Sequence, residues 1–114
     1  MALVAEPLEG VFRALSDPTR RRVVERLSRS AASVSELAEP FDMALPSFVQ
    51  HLRLLERSGL VRSTKRGRVR TYRLVPKRLS TAEGWLARQR TLWERRLDQL
   101  DAYLIELKEK ERDT

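Results

Sequence analysis

The chain has 114 residues, with 23 Lys and Arg against 16 Asp and Glu, so its formal net charge is +7 at pH 7. It has no cysteine, which excludes disulfides, thiolate metal ligands and thiol redox sensing. No apolar run approaches the roughly 20 residues that cross a bilayer, and the first residues are too few and too acidic for a signal peptide, so we expect a soluble, cytoplasmic, single-domain chain with no membrane partner.

Three short helices are predicted before residue 40. The first carries an apolar stripe at spacings of three and four, made of Leu8, Val11, Phe12 and Leu15. Asp17 is a good N-cap and Pro18 suits the first position of a second helix, which runs to about Arg29. After a polar connector, Ser33 or Ser35 can cap the third helix.

A fourth helix is predicted from Leu45 to about Ser58. Its buried face carries apolar residues spaced by four and three, namely Phe48, Leu52 and Leu55. Gly59 fits the left-handed position that commonly ends a helix. Ala44 stands at the N-cap, where its lack of a side-chain oxygen weakens the helix start by roughly 1 kcal/mol.

Two strands then form a charged hairpin. Residues 60–64 and 69–74 alternate apolar with polar or basic side chains, and the turn between them is centred on Gly67. We expect the packed positions to include Val61, Val69 and either Tyr72 or Leu74.

The longest predicted element is the last helix. Ser80 and Glu83 match a capping box, which predicts a helix from Ser80 to about Arg112. A seven-residue repeat, interrupted at Arg90, places apolar side chains at Leu86, Trp93, Leu97, Leu100, Leu104 and Leu107. A single core cannot cover so long a stripe, so these residues are predicted to pair with another helix as a dimerisation surface.

Positive charge is concentrated between residues 50 and 80. That window holds ten Lys or Arg and a single acid, Glu56, and therefore sums to +9. Such concentration opposes folding through self-repulsion, and binding to a polyanion is the usual compensation. The pattern therefore indicates a nucleic-acid partner.

Two helices joined by a tight turn and followed by a basic hairpin are typical of a winged helix-turn-helix, a mainly α fold with a small β-hairpin wing (α+β). The segments FRALSDPTRRRVVERL, SVSELAEPFDMALPSFVQHLRLLERSGLV and GRVRTYRL closely resemble the ArsR family of bacterial transcriptional regulators. The resemblance implies a homodimeric repressor that binds a palindromic DNA operator. It assigns residues 1–79 to DNA binding and residues 80–114 to dimerisation.

The resemblance also places the fourth helix in the major groove. The candidate DNA contacts on this helix are Leu45, Ser47, Val49, Gln50 and Arg53. Gln50 can read adenine through its amide, and Arg53 can reach guanine or phosphate. The candidate contacts on the wing are Arg62, Lys65, Arg66, Arg68 and Arg70. The alternatives are that Ser47 only tolerates a helix start, that Arg53 is a solvated charge, and that the wing tip is a solubilising surface.

Other chemistry has little support in the sequence. His51 is the only histidine, and we interpret it as structural or phosphate-facing. Without cysteine or a second histidine, no cofactor and no transition-metal site are predicted, and no nucleophile–base pair or phosphate-binding glycine loop indicates an enzyme. Trp85 and Trp93 line either an effector pocket or, as we prefer, the dimer core. Regulators that resemble this cysteine-free type respond to small organic molecules or to none, so the effector stays open.

Two other functions compete with an operator-binding repressor. The same charge would serve a protein that binds nucleic acid without regard to sequence. The long helix would also serve a protein-interaction module. Three alternatives also stay open for the arginines at the start of the second helix, Arg20, Arg21 and Arg22. They contact the DNA backbone, pair with Glu25 or are simply exposed.

Overall fold

A computed structural model describes residues 7–113. Its elements are α1 (Pro7–Leu15), α2 (Pro18–Leu27), β1 (Ala32–Ser33), α3 (Val34–Ala38), α4 (Leu45–Arg57), β2 (Val61–Arg66), β3 (Val69–Leu74) and α5 (Pro76–Arg112). The predicted class, mainly α with a small wing, is confirmed. The chain divides into two compact units, one that ends at Ala82 and one that starts at Glu83. Across residues 7–113, every helix is too short or too polar to traverse a bilayer.

Two helices of the first unit, α2 and α3, start directly after capping residues. The Asp17 carboxylate accepts a hydrogen bond from the Arg20 amide at 3.0 Å and caps α2. At α3 the structure selects Ser33 over Ser35, because the Ser33 hydroxyl accepts from the Glu36 amide while the Glu36 carboxylate accepts from the Ser33 amide. These hydrogen bonds lower the pKa of Glu36 below its ordinary value.

The first unit has one hydrophobic core, to which all of its elements contribute. The buried side chains are Val11, Ala14, Val23, Val24, Leu27, Ala32, Leu37, Phe48, Leu52, Leu55, Leu60, Val61, Tyr72 and Ala82. The predicted apolar face of α4 is therefore confirmed. The same packing fixes which face of α4 is turned toward solvent.

The wing belongs to a three-stranded antiparallel sheet in the order β1-β3-β2. The strand β1 was not predicted, because two residues are too few to show an alternating pattern. Arg66 pairs with Val69, so the connection is a two-residue turn. Gly67, with a φ of 59°, is its only residue in the left-handed region, the pattern of a type II′ turn. The prediction that Val69 is packed is wrong: its side chain is 54% exposed beside this turn, whereas Val61 and Tyr72 are buried.

The helix α5 begins earlier than predicted. It starts at Pro76, so the capping box expected at Ser80 does not form there. Instead, the Ser80 hydroxyl donates to the Pro76 carbonyl from inside the helix. Proline fits a first turn because the amide it lacks would have no partner in the helix, and this preference prevails over the Ser80 signal.

Candidate nucleic-acid interface

The helix α4 presents one polar strip to solvent. Its packed face is held by Phe48, Leu52 and Leu55. On the opposite face Gln50, Arg53 and Arg57 follow one another at spacings of three and four, and all three side chains are exposed. This strip combines an amide, which can recognise a base, with two guanidinium groups.

The N-terminal part of α4 is also open. Leu45 is 56% exposed and Ser47 is exposed, whereas Val49 is only half-exposed. Ala44 occupies the N-cap and makes no side-chain hydrogen bond to the helix, as expected for a residue without a side-chain oxygen. Four of the five candidate residues of α4 are therefore exposed, and Val49 is partly exposed.

A recess of about 400 Å³ lies on the exposed face of α4. It is lined by Gln50, Arg53, Glu56 and Arg57. Arg57 and Glu56 were absent from the predicted site. The spacing of Arg57 from Gln50 and Arg53 identifies it in the sequence, whereas the placement of Glu56 depends on a contact with the wing that no helical period encodes.

The wing carries a high concentration of positive charge. Arg62, Lys65, Arg66 and Arg68 are exposed along β2 and the turn. Arg70 on β3 is exposed too, but its guanidinium donates to the Ser63 hydroxyl at 2.8 Å. No acidic residue stands between Glu56 and Glu83, so the hairpin has no carboxylate of its own to neutralise these cations.

His51 joins α4 to the start of α2. Its Nδ1 lies 3.1 Å from an Arg20 guanidinium nitrogen and 3.7 Å from an Asp17 carboxylate oxygen. Burial raises the pKa of Asp17, but the Arg20 amide hydrogen bond and the charges of His51 and Arg20 outweigh it, so that pKa lies below its ordinary value.

The arginines of α2 have structural partners. Arg20 donates to the carbonyls of Ala14 and Arg13, and Arg21 donates to the carbonyl of Leu15, so both bind the C-terminal end of α1. The Arg22 guanidinium lies 4.5 Å from the centroid of the Phe41 ring. Within residues 7–113 none of the three forms an ion pair with Glu25. Arg21 and Arg22 are exposed, as one alternative predicted, although each also makes a contact within the fold.

The second unit is a helix whose apolar side chains are exposed. They comprise the predicted repeat (Leu86, Trp93, Leu97, Leu100, Leu104, Leu107) together with Leu92, Tyr103 and Ile105. The Arg96 guanidinium lies 5.5 Å from the Trp93 ring centroid, and that ring is 60% exposed. Nothing within this unit covers the stripe in the described part of the chain.

Metal ligands do not converge anywhere in the described residues. In the range 7–113 no three side chains of His, Cys, Asp or Glu come together in a group that could hold a metal ion.

Comparisons with known proteins agree with this geometry. A helix-turn-helix domain model matches residues 15–64. An ArsR family transcriptional regulator of known crystal structure is 57% identical in sequence to this chain. The match covers 78% of this chain and 98% of the regulator, and the two structures superpose with a TM-score of 0.75. The transcriptional repressor SdpR of Bacillus subtilis is 29% identical over 79 residues, which are 69% of this chain and 88% of SdpR. A helix-turn-helix-type transcriptional regulator of Mycobacterium tuberculosis is 40% identical over 57% of this chain and 61% of its own length.

The fold and the exposed basic site define a winged helix-turn-helix protein that binds DNA and regulates transcription. The chain belongs to the ArsR family, because it matches nearly the whole length of a solved family member at high identity. The family consists of transcriptional regulators and not of enzymes.

Proposed function

We propose that the protein is a homodimeric repressor that binds a palindromic operator. The observation that carries the proposal is the exposed strip of α4, where Gln50 and Arg53 stand beside the basic wing. In this arrangement α4 enters the major groove of the operator. Residues 1–79 form the DNA-binding part, and residues 80–114 form the dimerisation part.

Sequence recognition is assigned to α4. Gln50 bonds the edge of adenine through its amide, and Arg53 bonds guanine or an adjacent phosphate. Leu45, Ser47 and Val49 contact the groove around them. A side-chain amide and a guanidinium can each form paired hydrogen bonds with a base edge, which is worth about 1–3 kcal/mol of discrimination per base.

Grip on the DNA backbone is assigned to the wing. Arg62, Lys65, Arg66, Arg68 and Arg70 contact phosphates or insert into the minor groove. Each phosphate neutralised releases counterions, so affinity for duplex DNA falls steeply with salt. The hairpin itself contains no acid, and this supports the assignment, because no carboxylate within the hairpin competes with phosphate for these cations.

Dimerisation is assigned to the apolar repeat of α5. Leu86, Trp93, Leu97, Leu100, Leu104 and Leu107 repeat every seven residues and are all exposed in the single chain. A second copy would cover them, with Trp93 in the interface core. Two subunits then place two α4 helices in successive major grooves, about 34 Å apart, which requires a two-fold operator.

Selection of bound genomic fragments tests the proposal directly. We expect a palindromic site that binds at least about 1,000-fold more tightly than random duplex at the same salt concentration. A protein that binds nucleic acid without regard to sequence would show a preference below about tenfold. A monomer, or a complex with a different protein, in sedimentation would favour the interaction-module alternative instead.

The residue assignment needs its own variants. Gln50→Ala and Arg53→Ala are each expected to weaken operator binding by about 10-fold or more and to relax preference at one base position. Arg29→Ala removes the same charge as Arg53→Ala from the exposed turn that follows α2 and is the matched control. Unchanged base preference in both α4 variants would show that α4 is not the reading element.

A further inference from the structure

The single acid of the basic window makes a specific contact. Glu56 lies on the flank of α4 and is half-buried. One of its carboxylate oxygens accepts two hydrogen bonds from Ser63 on β2, from the hydroxyl at 2.9 Å and from the backbone amide at 3.3 Å. These bonds join the helix α4 to the first strand of the wing.

Ser63 also forms a hydrogen bond with the second strand of the wing. Its hydroxyl donates to Glu56 and accepts from the Arg70 guanidinium at 2.8 Å, which uses its single donor and one lone pair. Ser63 is also the register partner of Tyr72 on β3. A continuous chain of hydrogen bonds therefore runs from α4 through β2 to β3.

The pKa of Tyr72 reports the same cluster. Burial raises this pKa above its ordinary value, and the negative charge of Glu56 raises it further. The charges of Arg70 and Arg53 oppose the increase. Glu56 thus lies close enough to the buried ring to affect its ionisation, with cations from both α4 and the wing around it.

An acid at this position has a cost for DNA binding. A carboxylate between the groove-reading strip and the wing repels phosphate and lowers the general affinity for polyanions. Its contacts, in return, are charge-assisted hydrogen bonds, which are about twice as strong as neutral ones. Such bonds hold the orientation of two elements that must engage one DNA duplex at the same time.

We propose that Glu56 is a positioning residue that fixes the wing against α4 and thereby raises the discrimination between operator and random DNA. It does so through Ser63 and Arg70, without touching the DNA itself. The proposal rests on the proposed function, because it assumes that α4 and the wing bind the same duplex. In addition to its predicted phosphate contact, Arg70 is assigned a structural role, because its hydrogen bond to Ser63 links the two strands of the wing.

Operator discrimination is the first test. In Glu56→Ala the ratio of operator affinity to random-duplex affinity should fall about tenfold, and the salt slope of operator binding should decrease by about 1 to 2, as wing phosphates are lost. Glu25→Ala, which removes the same charge from an exposed position on α2, should leave both quantities unchanged. Glu56→Gln keeps an oxygen that can accept from Ser63 and should restore the ratio to within about threefold of wild type.

The opposite results would overturn the proposal. If Glu56→Ala lowers the melting temperature but keeps the ratio and the salt slope, the contact is merely structural. If Glu56→Ala and Glu25→Ala change DNA binding alike, the effect is one of net charge. If Glu56→Ala fails to fold, Ser63→Ala is used instead, because it removes the bridging hydroxyl and keeps the hydrogen bond from the Ser63 backbone amide. The affinity ratio and the salt slope of Ser63→Ala then test the proposal in the same way.

A second test does not require an operator. The chain has no cysteine, so Arg68→Cys provides one labelling position at the wing tip. The time-resolved fluorescence anisotropy of a dye at this position reports the motion of the wing in the DNA-free dimer or monomer. We expect a larger nanosecond component in Glu56→Ala and in Ser63→Ala, and a double variant no looser than either alone.

This second test separates the two proposals. If wild-type protein selects no operator but the wing loosens in Glu56→Ala, the proposed function fails while the bracing by Glu56 stands. If the wild type selects an operator and the label motion is the same in all variants, the proposed function stands and the bracing is refuted.

Discussion

The two units of the chain place their apolar side chains in opposite environments. In the first unit Phe48, Leu52 and Leu55 are fully buried against the other helices and the sheet. In the second unit Trp93 and Leu97 are 60% and 56% exposed. The same kind of helical periodicity thus ends in a core in one case and in an open surface in the other. Periodicity alone identifies the apolar face of a helix. It does not show whether that face packs against other elements of the same chain.

This contrast separates two sources of stability. The first unit contains its own core, so its free energy of unfolding should depend little on protein concentration. The second is a helix without internal tertiary contacts among the described residues, and most helical stability in proteins comes from the packing of an apolar face. Its order should therefore depend on association. The following predictions test this difference, from the largest effect to the smallest.

Leu52→Ala should have the largest effect. It removes a fully buried side chain from the centre of α4 and should lower the free energy of unfolding by about 2–5 kcal/mol. Leu97→Ala removes the same atoms from an exposed position and should change the unfolding of the first unit by less than about 0.5 kcal/mol. Urea denaturation of both variants at low protein concentration gives the comparison. Equal losses would mean that the two units do not differ in this way.

Leu97→Lys should act on assembly instead. In the proposed dimer a lysine at this position would be buried without a partner, so we expect the dimer dissociation constant to rise about 100-fold, or ~2.7 kcal/mol. Gln99→Lys adds the same charge to α5 at a position outside the repeat and should leave the dimer dissociation constant unchanged. Sedimentation equilibrium measures both constants. A shift in Gln99→Lys as large as that in Leu97→Lys would assign the effect to charge.

Asp17→Ala should have an intermediate effect. Loss of the cap on α2 should lower the free energy of unfolding by about 1 kcal/mol near neutral pH. The pKa of Asp17 is lowered by folding, so its ionisation stabilises the fold above the ordinary value of 3.8, and this stability is lost as the pH falls below that value. Asp17→Asn should keep most of the cap while it removes this pH dependence. Denaturation at pH 6 and pH 3 distinguishes the three proteins, and an unchanged acid response in Asp17→Asn would contradict the assignment.

Val69→Thr should have the smallest effect. The side chain is more than half exposed beside the turn, and threonine keeps the β-branched shape that suits a strand. We expect a change within about 0.5 kcal/mol in the free energy of unfolding. Val61→Thr makes the same substitution at a buried strand position and should be clearly more destabilising, because it buries a hydroxyl. Similar thermal melting of the two variants would contradict the observed difference in burial.

Much of the first unit could be predicted because its signals are local. Asp17 before Pro18, and Gly59 after the apolar face of α4, each fix a helix boundary by chemistry within a few residues. The apolar spacing of α4 identified its buried face, and therefore its exposed strip as well. That strip holds Gln50 and Arg53, the two residues to which base recognition is assigned.

The remaining features depend on contacts that are distant in sequence. The strand β1 exists because Ala32 pairs with Tyr72, and two residues carry no periodic pattern. Val69 alternates correctly for a packed position, but it lies at the end of the hairpin, where no helix covers it. Glu56 and Ser63 come together only when the wing folds onto α4. Sequence periodicity could not predict these pairings, since each depends on the mutual placement of two elements.

The two-residue turn at Gly67 also restricts how this wing can change in related proteins. Strands β2 and β3 of six residues each extend about 20 Å, and so short a turn adds almost no reach of its own. Because side chains alternate between the faces of a strand, lengthening each strand by one residue would exchange its inner and outer faces beyond that point. A longer wing that keeps its arginines on the same side must therefore arise by insertion of two residues in each strand, in steps of about 7 Å.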